Sequence, residues 1–317
     1  TIMSCDNIPH NGHVVQSVVL GIAQEQADSA TLVDWIKENV TFPNSMVDRI
    51  TPGSTPAMRE HVEKVYGYND ASPIFCEPFR QWILEDNFVQ GRPDWHLLPE
   101  SANISFVPDV APYELMKIRI LNGGHASLCY PAALLGVQYV HEAVEHPLIG
   151  PFLDKLERTE IIPTVPAVPD GTNLKSYWTL IQGRFANPTI GDTIGRNTYD
   201  GASRQPKFIV PVAHDALTVG THGKVEGLAL VSALWCRYCQ GTTESGDPVP
   251  SQDPQWERLT ALAMRAKTEP SVWLTELNDV YGVVVGHSEV FTDAFTKSLQ
   301  HIQTEGVEAA LQAYIDS

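Results

Sequence analysis

Residues 112–130, which read PYELMKIRILNGGHASLCY, are the stretch on which the interpretation of the whole chain depends. Apolar side chains recur through it at the spacing of an amphipathic helix. At about 100° per residue, Asn122 and His125 project roughly 140° and 80° around the helix axis from Lys117. The pattern therefore predicts that these three polar side chains share one broad face of a helix.

A lysine beside a histidine and a carboxamide has the outline of an acid–base site. The lysine can take up or release a proton, while neutral donors hold an oxygen atom. The same side chains are also consistent with a solvated lysine and a histidine buried in the core. The spacing by itself favours this second, structural interpretation.

Two asparagines, Asn7 and Asn11, lie in a turn-rich segment that follows a predicted strand end at residues 1–6. At the carboxyl end of a strand in an open α/β sheet, their amides would face the usual ligand-binding edge and could donate to an oxygen. Alternatively, both asparagines serve only to form the turn. The sequence does not show which of the two would act as a donor.

Two arginines, Arg196 and Arg204, stand eight residues apart around a predicted turn. Their guanidinium groups can hold hydroxyls or a carboxylate through forked hydrogen bonds. The alternative is that they cap backbone carbonyls around a loop. Both interpretations remain open on the residues alone.

The composition limits the classes of function. The formal net charge of −17 argues against binding to nucleic acid or to anionic membranes. No apolar run approaches the ~20 residues of a membrane-spanning helix. Five cysteines, an odd number, indicate a reducing compartment, so we predict a cytoplasmic protein. Cys236 and Cys239 form a lone CxxC at helical spacing, which is more typical of two core cysteines than of a zinc or redox site.

The length of 317 residues is sufficient for two domains. Residues 1–110 show mixed strand and helix patterns, whereas residues 111–317 are almost wholly helical. Predicted strands occupy residues 1–6, 42–52, 81–85 and 104–107, with an extended piece at 95–98 and an extended connector at 161–169. The helix at 112–130 is predicted to bend at Pro131 and to continue through Val140. Further helices are predicted at 14–27, 30–39, 56–66, 174–185, 225–239, 256–266, 271–277, 288–304 and 307–315.

The spacing Lys117-x4-Asn122-x2-His125 within KIRILNGGH resembles the catalytic signature of the polyol-specific long-chain dehydrogenases. Four other blocks are similar to segments of that family, and they occur in the family's order. They are SCDNIPHNG at 4–12, FPNSMVDRITP at 42–52, EPFRQWILED at 77–86 and GDTIGRNTYDGASRQPKF at 191–208. The resemblance thus covers nearly the whole chain.

This resemblance implies a zinc-independent oxidoreductase that interconverts D-mannitol and D-fructose with NAD or NADP and needs no metal. Lys117 would be the general base, and it must be partly deprotonated near neutral pH for that role. Asn122, together with Asn7 or Asn11, would donate hydrogen bonds to the reacting oxygen. His125 would bind that oxygen or orient the lysine.

The resemblance also implies which residues hold the substrate and the cofactor. Substrate contacts are expected from Asp48, Arg196 and Arg204, and cofactor contacts from Val47, Asp48 and Asn7. From the residues alone, Asp48 can equally form an ion pair with Arg49 on a strand edge. The expected partners are a small polyol or ketose, and the intact enzyme is expected to be a monomer.

The chain contains no G-x-G-x-x-G motif, the loop that holds a dinucleotide pyrophosphate. The resemblance therefore implies α/β architecture in which residues 1–110 are the C-terminal part, or remnant, of a Rossmann-type dinucleotide-binding domain. Residues 111–317 would be a mainly helical substrate domain. We expect the chain by itself to lack mannitol:NAD activity and to be poorly stable.

Two alternatives to mannitol oxidation remain. One is a sister activity on arabinitol, on fructuronate or tagaturonate, or on mannitol 1-phosphate. The other is a catalytically silent fragment. A phosphate site would need further basic residues near Arg196, and only Lys207 lies close in sequence, so a free polyol is preferred.

Overall fold

The computed structural model describes residues 1–219, 223–250 and 253–317. Two compact units can be distinguished: Thr1–Lys117 with Val168–Asp170, and Ile118–Ala167 with Gly171–Ser317. The first unit contains a sheet with helices, and the regular elements described in the second are helical. The predicted fold class is therefore confirmed. The domain boundary at residue 110 stays a prediction, because compact units and evolutionary domains are different divisions of a chain.

The first unit has four helices and three strands among its described residues. In chain order they are α1 (Asn11–Gln24), α2 (Ser29–Asn39), β1 (Ser45–Asp48), α3 (Pro56–Tyr66), β2 (Gln81–Glu85), β3 (Ile104–Val107) and α4 (Ala111–Lys117). Short 3-10 turns occupy Trp95–Leu97 and Glu100–Ala102.

The sheet contains both antiparallel and parallel pairs of strands. Strand β1 runs antiparallel to β2, with Asp48 opposite Gln81, and β2 runs parallel to β3. Helices α1 and α2 bury a small apolar core, because their inward-facing residues recur at helical spacing. Its buried members are Ala23, Val33, Ile36 and Phe42.

Two predicted extended segments of this unit are wrong. Residues 1–6 form no strand: in the part of the chain that the structure describes, one backbone hydrogen bond, from Ile2 to the Thr41 carbonyl, joins them to a neighbour. A single bond does not make a ladder. Trp95–Leu97 forms a 3-10 turn, and the Trp95 ring packs against Trp82 and Phe106.

The described helices of the second unit are α5 (Gly123–Leu134), α6 (Val140–Glu145), α7 (Ile149–Leu156), α8 (Leu174–Phe185), α9 (Ile194–Thr198), α10 (Gly201–Phe208), α11 (Val210–Thr218), α12 (Glu226–Tyr238), α13 (Trp256–Arg265), α14 (Ser271–Glu276), α15 (Asn278–Gly286), α16 (Glu289–Glu305) and α17 (Val307–Asp316). Helices α5 and α12 are buried on almost every side, as expected for helices that are apolar or small all round. Cys236 and Cys239 are free and buried at the end of α12, which confirms their prediction as core cysteines.

The helical run through residues 112–130 is confirmed but is not a uniform α-helix. A π-helical turn, Ile118–Asn122, joins α4 to α5. The predicted continuation through Val140 is wrong, because α5 ends at Leu134 and Gly136 has a left-handed backbone with φ of 76°. The predicted extended connector at 161–169 is wrong at its start. Ile161 ends a π-helical turn, Glu157–Ile161, and a 3-10 turn follows at Ile162–Thr164.

None of the helices in the described residues is both long enough and apolar enough to cross a membrane.

Candidate active site

The N-terminus of α1 is held against the start of β1 by two buried asparagines. The Asn11 amide donates to the carbonyls of Asp6 and Ser45 at 3.0 and 2.9 Å, and its oxygen accepts from the Ser45 backbone at 2.9 Å. The Asn44 side-chain oxygen accepts from the backbone N–H groups of Gly12 and His13, which caps α1 from outside the helix. These bonds fix the segment that carries Asn7.

Glycine is required at position 12 by this close approach. A Cβ there would lie 2.4 Å from the Phe42 carbonyl oxygen and 2.6 Å from the Pro43 carbonyl carbon. Both obstacles are backbone atoms that cannot move aside. Glycine at position 12 thus lets the start of α1 lie directly against the backbone of Phe42 and Pro43.

Lys117, at the end of α4, reaches the predicted turn. Its side chain is buried, with the residue only 5% exposed, and its Nζ donates to the Asn7 Oδ1 over 2.5 Å. Because the amide oxygen accepts from the lysine, the Asn7 NH2 group is the part that can donate to another oxygen. The structure thus distinguishes the two asparagines: Asn7 contacts the lysine, and Asn11 is committed to backbone groups.

Glu114 lies one helical turn before Lys117 in α4 and is also buried. Burial raises the pKa of its carboxyl group, and the backbone N–H of His10, 3.4 Å away, partly offsets that effect. The sequence analysis did not single out this carboxyl group.

Asp48 and Val47 end strand β1. Asp48 is buried and Val47 is half-buried opposite Trp82. Arg49 donates from Nε to the Glu77 carbonyl at 2.9 Å. The expected contacts of Asp48 to substrate and cofactor stay predictions, and the ion pair with Arg49 stays the alternative.

In the second unit, Asn122 ends the π turn that precedes α5. The turn is anchored by Arg119, whose buried guanidinium donates to the Thr164 carbonyl and to the Asp215 carboxylate. Burial opposes ionisation of Asp215, but the hydrogen bonds from Arg119 and His214 prevail and lower the pKa of this carboxyl group. Single π turns are frequent at functional sites.

The π turn alters the geometry expected from the sequence. It advances the chain through fewer degrees per residue than an α-helix, since its hydrogen bonds span five residues instead of four. The angles derived at about 100° per residue for Asn122 and His125 are therefore wrong. Convergence of Lys117, Asn122 and His125 on one cleft stays a prediction.

His125 is buried in α5, only 4% exposed, with its ring 4.1 Å from the Phe185 ring, centroid to centroid. Its Nε2 lies 3.5 Å from Oδ2 of Asp192. Burial lowers the pKa of the imidazole, and the positive charges of Arg196 and Arg204 act in the same direction, against the effect of Asp192. Burial and these arginines therefore favour the neutral form of the His125 ring.

Asp192 joins His125 to Arg196. The Arg196 guanidinium binds it with two hydrogen bonds, from Nε at 2.7 Å and from Nη2 at 2.6 Å. Burial opposes ionisation of Asp192, but the close approach of His125 and the hydrogen bonds from Arg196 hold the pKa of this carboxyl group well below its ordinary value. The carboxylate was not predicted as a site residue, although its i, i+4 spacing to Arg196 was a usable signal.

The predicted turn between the two arginines is present at Tyr199 and Asp200, and short helices flank it. Arg196 lies in α9, and Arg204 lies in α10 with its guanidinium 5.3 Å from the centre of the Phe208 ring. Both residues therefore lie in helices that flank the turn. Their contacts with a substrate stay predictions.

Among the residues described, no group of three or more histidine, cysteine, aspartate and glutamate side chains has an arrangement suited to a metal ion. The prediction of metal-free chemistry rests on the family resemblance.

Comparison with protein families places these contacts in context. Residues 1–97 match the family model described as the mannitol dehydrogenase Rossmann domain, and residues 109–303 match the mannitol dehydrogenase C-terminal domain. The chain belongs to the mannitol dehydrogenase family. The resemblance expected from the sequence motifs is thereby confirmed.

Similar proteins agree with this assignment. Mannitol 2-dehydrogenase of Cereibacter sphaeroides is 49% identical over 99% of this chain. The solved ternary complex of Pseudomonas fluorescens mannitol 2-dehydrogenase with NAD and D-mannitol covers 99% of the chain at 36% identity, with a TM-score of 0.84. A D-sorbitol dehydrogenase in substrate-free form covers 98% at 30% identity, with a TM-score of 0.82. The chain spans 64%, 62% and 62% of these three proteins, respectively.

Proposed function

We propose that the chain forms the catalytic part of an NAD-dependent polyol 2-dehydrogenase that interconverts D-mannitol and D-fructose. The observation that carries the proposal is the buried Lys117, whose Nζ is hydrogen-bonded to Asn7. Family membership and the similarity to a mannitol 2-dehydrogenase bound to NAD and D-mannitol support the choice of substrate and cofactor.

Lys117 acts as the general base in this proposal. In polyol oxidation its neutral amine takes the proton of the reacting hydroxyl, and in ketose reduction its ammonium returns that proton. Burial of the lysine removes competing water from the proton transfer. The hydrogen bond to Asn7 holds the Nζ in place.

The amides of Asn7 and Asn122 stabilise the oxygen as it gains alkoxide character. The Asn7 oxygen accepts from Lys117, so its NH2 group is available to donate to the substrate oxygen. Asn122 occupies the asparagine position of the family's catalytic signature, Lys-x4-Asn-x2-His. Asn11 is assigned to the scaffold, because its amide is bonded to backbone carbonyls.

Substrate hydroxyls away from the reacting carbon are assigned to Asp48, Arg196 and Arg204 by the family resemblance. The exposed side of Arg196 supports this, since 42% of its side chain is accessible although Asp192 binds two of its donors. A forked guanidinium can bind a further pair of oxygens through its remaining N–H groups.

The residues present fit the nicotinamide end of NAD. A half-buried Val47 offers an apolar contact, and the buried Asp48 and the Asn7 amide have the hydrogen-bonding chemistry that a ribose and a carboxamide need. When bound, NAD supplies the acceptor for the hydride that leaves the substrate carbon. The chain lacks the glycine-rich motif that holds a pyrophosphate, so these residues would hold only part of the cofactor.

The assay that tests this proposal measures NADH formation by the full-length protein with a panel of substrates. D-mannitol should be oxidised with a higher kcat/KM than D-sorbitol, D-arabinitol or mannitol 1-phosphate. The reverse assay should reduce D-fructose in preference to fructuronate and tagaturonate. A preference for a uronate or a phosphorylated polyol would refute the proposed substrate, and inactivity on all of them would refute the activity itself.

A further inference from the structure

The Asp192 carboxylate lies beside two predicted site residues, Arg196 and His125. Both carboxylate oxygens receive hydrogen bonds from Arg196, and Oδ2 also lies 3.5 Å from Nε2 of His125. In the part of the chain that the structure describes, this ring nitrogen has no hydrogen-bond partner at shorter distance. Asp192 is therefore the polar group that determines whether Nε2 carries a proton.

We propose that Asp192 is a positioning residue that holds the His125 ring in the tautomer with its proton on Nε2. An unprotonated Nε2 would turn its lone pair toward a carboxylate oxygen, which is repulsive. A protonated Nε2 instead presents a hydrogen-bond donor to that oxygen. Because the buried ring is neutral, its single proton resides on Nε2, and Nδ1 is left as an acceptor.

The groups around Asp192 keep its carboxylate ionised and hold it in place. The two bonds from Arg196 keep it ionised, and its backbone carbonyl accepts from the Val140 N–H at 2.9 Å. The Asn197 amide adds a longer contact at 3.4 Å. The Phe185 ring limits rotation of the imidazole from its face. Ring orientation and tautomer are thus fixed together.

This inference rests on the proposed function for its kinetic consequence. An Nδ1 acceptor can receive a hydrogen bond from a hydroxyl or an ammonium, but it cannot donate to a developing alkoxide. His125 therefore orients a donor in the reaction, and stabilisation of the alkoxide is left to the asparagine amides. The sequence alone left these two roles of His125 open.

The tautomer can be read directly by long-range 1H–15N NMR on the full-length protein labelled at histidine. A His125→Gln variant identifies the His125 signal among those of the other histidines. The wild-type ring should show a protonated Nε2 and an unprotonated Nδ1. The reverse pattern in the wild-type protein overturns the proposal, whether or not Asp192→Asn folds.

Asp192→Asn should invert the tautomer. The Oδ1 position faces two donors, Arg196 Nε and the Asn197 amide, so the asparagine oxygen occupies it. Its NH2 group then takes the place of Oδ2 and faces Nε2, which must be the acceptor. Asp200→Asn is the matched control, since Asp200 has a left-handed backbone that asparagine also adopts and makes no contact with His125 in the structure. The control should leave the His125 signal unchanged.

In the full-length protein, Asp192→Asn should lower kcat by ~10²-fold while NADH affinity stays near that of the wild type. A variant with an unchanged tautomer and unchanged kcat overturns the proposal. If the wild-type protein oxidises no polyol, the proposed function fails, and the NMR result still decides the tautomer separately.

Discussion

The Nζ of Lys117 donates a hydrogen bond to the side-chain oxygen of Asn7 over 2.5 Å, although 110 residues separate the two in sequence. Asn11, four residues from Asn7, makes no such contact in the structure and is instead bonded to the backbone of residues 6 and 45. Two asparagines that look equivalent in sequence are therefore expected to differ in function.

The first prediction separates these two asparagines. Asn7→Ala should lower kcat by ~10²-fold, the effect of losing one donor to a developing oxyanion, with little change in stability. Asn11→Ala should lower the free energy of unfolding by about 1–3 kcal/mol, because buried backbone groups lose their partner. Urea unfolding and steady-state kinetics on both variants measure the difference. Equal losses of stability in the two variants would contradict the assignment.

The second prediction concerns the anchor of the π turn. Arg119→Met should lower the free energy of unfolding by about 3 kcal/mol, because the Asp215 carboxylate and the buried Thr164 carbonyl lose their donor. Urea unfolding measures the loss. Arg265→Met is the matched control, since the Arg265–Glu276 pair is exposed, and it should change stability little. Equal effects of the two substitutions would show that Arg119 is not an anchor.

The third prediction uses Glu157, a fully buried carboxyl group near Gly124. Neither of its oxygens has a hydrogen-bond partner among the described residues, and burial raises the pKa of this carboxyl group well above its ordinary value of 4.5. The unfolded chain therefore releases this proton at lower pH than the folded protein does. Folding takes up a proton in that window, so this group makes stability fall as pH rises.

Glu157→Gln should remove that slope. The stability of the variant relative to wild type should increase as pH rises above 4.5, which urea unfolding at a series of pH values would measure. The exposed Glu308→Gln is the control and should run parallel to wild type. A Glu157→Gln curve that also runs parallel would mean that the folded carboxyl group is ionised.

The helical periodicity of the chain predicted most of the second unit, because packing of apolar stripes dominates helix formation there. It did not predict the π turn at Ile118–Asn122, since one hydrogen-bond shift leaves no mark in the residue pattern. It also predicted a strand at residues 1–6, which carry apolar side chains but make a single backbone hydrogen bond to a neighbouring segment among the described residues. Local patterns fail where pairing with distant segments decides the structure.

The site residues divide in the same way. Lys117, Asn122 and His125 were predicted by a motif within one segment. Asp192 was not, because its role depends on contact with His125, 67 residues earlier in the chain. A sequence shows which side chains have suitable chemistry, but the partner that sets a tautomer or anchors a turn is chosen by tertiary packing.

The most direct test of the account is the effect of Lys117→Ala on D-mannitol oxidation by the full-length protein. Loss of a general base should lower kcat by ~10²–10⁴-fold. NADH affinity, measured by fluorescence titration on the same variant, should stay within a factor of about two, since the lysine is assigned to the substrate oxygen. The account predicts this separation of rate from cofactor binding. A variant that keeps half of the wild-type kcat would contradict it, because another group would then take the proton.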